Sequence, residues 1–158
     1  MAMVEVVLPV LNEEKVLERS VRALHSFLDD NLAHEWRIVI ADNGSTDATF
    51  DVGTRLSNEL SNLECRHIPE AGRGRALSLA WLASDADVLA YMDIDLSTDL
   101  GAFPRLVSLV ADQGYDVAAG TRLGSGSDTE RSLKREVLSR GYVFLIEVLF
   151  RARRWRRP

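Results

Sequence analysis

A single cysteine, Cys65, excludes an intrachain disulfide and suits a reducing compartment, where it packs as a small apolar side chain. The histidines His25, His34 and His67 are scattered and form no Cys/His cluster of zinc-ligand spacing, so each reads as surface or satisfied packing. No apolar run approaches the roughly 20 residues that a membrane-spanning helix needs. The opening Met1–Pro9 carries neither a basic region nor a long apolar stretch, so no secretory leader is expected. Internal repeats and domain linkers are missing as well. Disulfide scaffolds, zinc modules, solenoids and spanning bundles are thereby set aside, which leaves one globular domain long enough to bury a core.

What is present alternates. Val4–Val10 reads as a strand, followed by a helix that Asn12 would cap and that buries Val16, Leu17, Val21, Leu24, Phe27 and Leu28. Trp36–Ala41 is a second strand, running into the turn cluster Asp42-Asn43-Gly44-Ser45-Thr46-Asp47, whose Ser, Thr and Asp can cap a helix through about Leu60. Leu63–Ile68 is a third strand. The Gly-rich loop Gly72-Arg73-Gly74-Arg75 leads into an Ala/Leu helix ending near Ser84, and Val88–Met92 is a fourth strand. A helix over Asp99–Gln113, with Phe103, Leu106, Val107 and Val110 on one face, precedes a fifth strand at Tyr115–Gly120, ending at Thr121-Arg122. Strand and helix in turn predict an α/β fold with a mostly parallel central sheet.

Ligands of such sheets bind at the carboxyl ends of the strands, and the polar clusters fall at those ends. After the fourth strand come Asp93-Ile94-Asp95. On extended backbone, residues two apart point the same way, and two unpaired carboxylates repel. A hard divalent cation relieves that repulsion, and Mg2+ typically takes one or two carboxylates plus substrate phosphates. Asp42 could accept hydrogen bonds from a base or ribose. Gly72 and Gly74 admit close backbone approach, while Arg73 and Arg75 can neutralise phosphate. With Arg122 across the cleft, these residues describe a site for a nucleotide-sugar. The loop lacks the Lys-Ser/Thr of a P-loop.

The charge is uneven. Residues 131–158 hold nine Lys/Arg against two Glu, a balance of +7, so the preceding residues carry −12 within a total of −5. An acidic body with a basic tail points to a local anionic partner for the tail and not to nucleic acid. Tyr142–Ile146 and Val148–Phe150 are apolar but short, and Trp155 stands among five arginines, a pattern that suits the interface of a membrane.

Pro9-Val10-Leu11-Asn12-Glu13, Asp42 to Asp47, Gly72-Arg73-Gly74-Arg75-Ala76, Asp93-Ile94-Asp95 and Gly120-Thr121-Arg122 occur in the order and spacing seen in family 2 glycosyltransferases of GT-A fold. The stretch Lys134–Tyr142 resembles the polyprenyl-phosphate branch, the dolichol-phosphate mannose synthase-like enzymes. The resemblance implies a Rossmann-like, three-layer GT-A fold, with residues 1–130 as nucleotide-sugar-binding core and 131–158 as a basic helix and tail facing acceptor and membrane. It implies that Pro9, Leu11, Glu13 and Asp42 line a nucleoside pocket, joined by Gly72 and Arg73. It assigns Asp93 and Asp95 to Mg2+ or Mn2+ and the donor diphosphate, Arg122 to the phosphates, and Arg131, Lys134, Arg135 and Arg140 to the lipid phosphate.

Several positions depart from the pattern. Asn43 replaces a frequent second Asp, Arg73 a frequent Lys, and Ser97 a frequent Gln. The chain also stops soon after the last helix, so a truncated copy or fragment is expected. The resemblance implies transfer of a hexose from GDP- or UDP-hexose to a polyprenyl phosphate with inversion, on the cytoplasmic face of the cell membrane, to which the enzyme is held peripherally. A hydroxyl acceptor would need a carboxylate base, for which Asp128 and Glu130 are the nearby candidates. A non-catalytic nucleotide-sugar or partner-binding domain, and a nucleotidyltransferase, are the other classes that fit metal and nucleotide on such a sheet.

Overall fold

A computed structural model describes residues 1–69 and 72–120. Its elements are strands β1 (Met3–Val10), β2 (Glu35–Asp42), β3 (Leu63–His67) and β4 (Val88–Tyr91), with helices α1 (Leu17–Asn31), α2 (Thr49–Glu59), α3 (Arg73–Leu82) and α4 (Phe103–Ala111). The four strands form one sheet in the order β3-β2-β1-β4, and every pairing is parallel. β1 is central, and residues 4–8 of it are buried on both faces, as a strand covered on two sides must be.

Alternation along the strands sorts side chains into two layers. Val4, Val6, Leu8, Ile38 and Ile40 face α1, α2 and α4 and pack with Leu17, Leu24, Leu28, Leu56, Phe103 and Val107. Val7, Val39 and Ala41 face the other way and meet Ala76 and Ala80 of α3. Helices thus cover both faces of a parallel sheet, as expected from the sequence.

Several local expectations are corrected. Asn12 does not cap α1, which begins five residues later. Asn12 is instead in a left-handed conformation (φ 56°), and its side-chain oxygen accepts the Thr46 N–H at 2.8 Å. The helix over 99–113 is shorter: Asp99 accepts the Gly101 N–H at 2.9 Å over a 3-10 turn at Leu100–Ala102, and α4 follows. Tyr115–Gly120 is not a strand; it pairs with no described strand, and Tyr115 and Val117 are exposed. A strand needs a neighbour to satisfy its ladder groups, and alternation alone cannot provide one. Asp93 and Asp95 leave a turn rather than a strand: β4 ends at Tyr91, and the Leu96 N–H donates to the Asp93 carbonyl at 3.1 Å.

Candidate functional site

Parallel strands bring all four carboxyl ends to one edge. Along it lie His67 (β3), Asp42 (β2), the segment after Val10 (β1) and Asp93 (after β4), in the spatial order of the sheet. Neighbouring strands are about 4.8 Å apart, so β2 and β4 are separated by about 10 Å.

Asp42 and Asn43 tie this edge together. Asp42 is fully buried; its Oδ1 accepts the Ser45 N–H at 3.3 Å, and its Oδ2 lies 2.6 Å from His67 Nδ1. Its carbonyl accepts the Ile68 N–H. Asn43 donates its N–H to the Val10 carbonyl, and its Oδ1 accepts the Gly72 N–H at 2.7 Å. Two consecutive residues therefore hold β1, β3 and the start of α3. Gly72 has φ +156°, a conformation that side chains disfavour, which suits glycine at this junction. Asn43 counted in the sequence only as a departure from a second Asp. Its role follows from the loop that its side chain holds.

The loops after β1 and β2 are cross-linked. Asn12 N–H donates to Ser45 Oγ (2.9 Å), Glu13 N–H to Thr49 Oγ1 (2.8 Å) and Glu14 N–H to Asp47 Oδ2 (3.3 Å), while Glu14 Oε2 accepts the Ala48 N–H (3.0 Å). Asp47 also accepts from Thr49. Desolvation raises the Asp47 carboxyl's pKa, but its hydrogen bonds from Thr49 and the Glu14 backbone outweigh this and hold it below the ordinary value. Leu11 is exposed, and Pro9 and Glu13 are half-buried beside this lattice.

At the other end, Met92 and Ile94 are buried in the core, which leaves the carboxylates between and after them, Asp93 and Asp95, toward solvent. Asp95 Oδ1 accepts the Ser97 N–H at 3.0 Å. Asp93 is ion-paired with Arg73 from the first turn of α3, and that guanidinium also lies 5.8 Å from the centroid of the Tyr91 ring. The structure thus joins Asp93 to Arg73, with Asp95 two residues along the same turn, Gly72 next to Arg73 in the chain and Asp42 two strands away. Among the described residues no three His, Cys, Asp or Glu side chains gather as a complete metal cage. Two exposed carboxylates nevertheless fit a hard divalent cation that takes its remaining ligands from phosphates and water. Arg122, Arg131, Lys134, Arg135 and Arg140 lie outside the described residues, as does the proposed tail.

Residues 5–156 match the family model described as glycosyl transferase family 2. The chain belongs to this family. Glycosyltransferase AglD of Haloferax volcanii is 35% identical over 151 residues, covering 94% of this chain and 24% of the relative. A dolichol-phosphate mannosyltransferase of Pyrococcus furiosus is 28% identical over 144 residues, 90% of this chain and 40% of the relative. Among solved structures, glucosyl-3-phosphoglycerate synthase of Mycobacterium tuberculosis in complex with Mn2+ and UDP-glucose superposes with a TM-score of 0.52 at 30% identity, over 72% of this chain and 40% of that one. The chain therefore spans a quarter to two-fifths of the length of these relatives. The fold is that of GT-A glycosyltransferases, and the chain is a family 2 glycosyltransferase domain.

Proposed function

We propose that this domain transfers a hexose from a nucleoside diphosphate sugar to a polyprenyl phosphate, with a divalent cation and with inversion. The observation that carries the reading is the layout of the strand ends: a buried Asp42 paired with an exposed His67 over β2 and β3, and two carboxylates with Arg73 past β4. A nucleoside joined to a diphosphate suits that span of about two to three strand spacings. Asp93 and Asp95 would hold Mg2+ or Mn2+, which when bound neutralises charge on the departing diphosphate. Arg73 supplies a second positive charge there, released from Asp93 as the phosphates arrive.

In the reaction an oxygen of the acceptor phosphate forms the bond to the anomeric carbon. The bond from that carbon to the diphosphate oxygen breaks, and the nucleoside diphosphate leaves with the electron pair. The acceptor is already anionic at neutral pH, so the chain's residues align and neutralise without abstracting a proton. Arg122 is assigned to the same phosphates, and Arg131, Lys134, Arg135 and Arg140 to the lipid phosphate, at the cytoplasmic face of the membrane. Among the described residues no helix is long and apolar enough to cross a membrane.

The dolichol-phosphate relative supports a lipid acceptor; the phosphoglycerate synthase, at comparable identity, supports a small hydroxyl acceptor as the second reading. A screen of labelled GDP-mannose and UDP-glucose with Mn2+ and a short polyprenyl phosphate decides between them. Label in the organic extract is the expected outcome; label confined to the aqueous phase with a hydroxyl acceptor favours the second reading. Asp93→Asn and Asp95→Asn should each lower turnover by roughly a hundredfold or more, as expected for loss of charge stabilisation at the leaving group.

A further inference from the structure

His67 occupies the carboxyl end of β3, in register with Asp42 of β2. The two differ sharply in access: Asp42 is 0% exposed, while 42% of the His67 side-chain surface is open. With Ser45 on one carboxylate oxygen and His67 on the other, a ligand arriving at this edge reaches the imidazole before it reaches Asp42. The 2.6 Å contact to a carboxylate places a ring hydrogen on Nδ1, which leaves Nε2 as the ring nitrogen not engaged by Asp42. Phe50, 36% exposed in the first turn of α2, sits 5.0 Å from the His67 ring between centroids, at 56°. Flat rings stack on such surfaces, and an imidazole nitrogen beside them can hydrogen-bond the polar edge that uracil and guanine both present.

We propose that His67, held by Asp42 and flanked by Phe50, is the side chain that contacts the donor's nucleobase, with Asp42 a positioning residue behind it. This rests on the reading of the domain as a nucleotide-sugar transferase. The phosphates have partners elsewhere: Arg73 and the two carboxylates, with the cation they would hold, stand at the opposite end of the edge.

The test uses the whole chain, with UDP, GDP and pyrophosphate as probes, each with Mn2+ for calorimetry and with Mg2+ for ring NMR of the histidines. In the unaltered protein, UDP or GDP should move the His67 ring signal, identified by its loss in His67→Gln, and leave His25 and His34 in place. His67→Ala should raise the Kd for the nucleotide about tenfold, the loss of one hydrogen bond with its stacking face. His67→Gln should recover part of that loss, and pyrophosphate should bind His67→Ala as it binds the parent. An unmoved His67 signal together with an unchanged Kd in His67→Ala overturns the proposal. If Asp93→Asn still weakens binding in that case, the transferase reading survives alone. Failure of the parent to bind either nucleotide removes both. Should His67→Ala not fold, the ring signal of the parent decides.

Discussion

The two faces of one sheet are built on different terms. Toward α1, α2 and α4 the strands present Val, Leu and Ile, met by leucines from two helices and by Phe103. Toward α3 they present Val7, Val39 and Ala41 against two alanines, and the same layer carries Glu5, Arg37, Glu64 and Arg66. Glu5 is fully buried there, bonded to Arg37, which also reaches Asp85. Large branched side chains give the first face its burial energy, about 1.5–3 kcal/mol for each fully buried side chain. Small residues on the second let α3 approach closely, and its first turn then delivers Arg73 to Asp93. One face secures the fold, and the other places a charge.

The contrast can be broken by substitution. Leu24→Ala, in the larger core, should cost about 3–4 kcal/mol in chemical denaturation, the range for a cavity among leucines. Arg37→Ala should cost about 3 kcal/mol, because it strands a buried carboxylate without its partner. The double variant Glu5→Leu/Arg37→Leu should recover most of that. If it does not, the second face depends on its ions as heavily as the first depends on leucine. Gly53→Ala places a Cβ 2.6 Å from Cys65 Sγ, and overpacking of this kind costs about 1–3 kcal/mol. Cys65→Ala should relieve most of it.

The smallest effect concerns that thiol alone. Burial pushes Cys65 up to about 11, with the Asp42 carboxylate adding to the rise. Below pH 9 the thiol is neutral in folded and unfolded chains alike. Between about 9 and 11 only the unfolded chain ionises, so stability should fall across that window. The parent should lose more of its melting temperature there than Cys65→Ala does.

Much of this was legible in the residues. Strand and helix order followed from apolar periodicity, and the buried face of α1 fell on Leu17, Val21, Leu24 and Leu28 as spaced. The strand ends were visible because polar clusters interrupt apolar runs. What periodicity could not show was which polar side chains bond to one another. Asn12 reads as a helix cap until Thr46 is found opposite it, and His67 reads as surface until Asp42 is found behind it. Such pairs are 25 or more residues apart, and only the folded register brings them together. Tyr115–Gly120 failed for the opposite reason: its pattern was local, but a strand's bonds are not.

The lattice between the first two loops has a kinetic corollary. The amides of Asn12, Glu13, Glu14, Thr46 and Ala48 are all fastened by side chains from the facing loop, although most of them sit near solvent. Such a clasp releases as a unit, since undoing one rung exposes the next. Deuterium should therefore enter these five positions together, at one shared rate slower than that of exposed turns elsewhere in the domain.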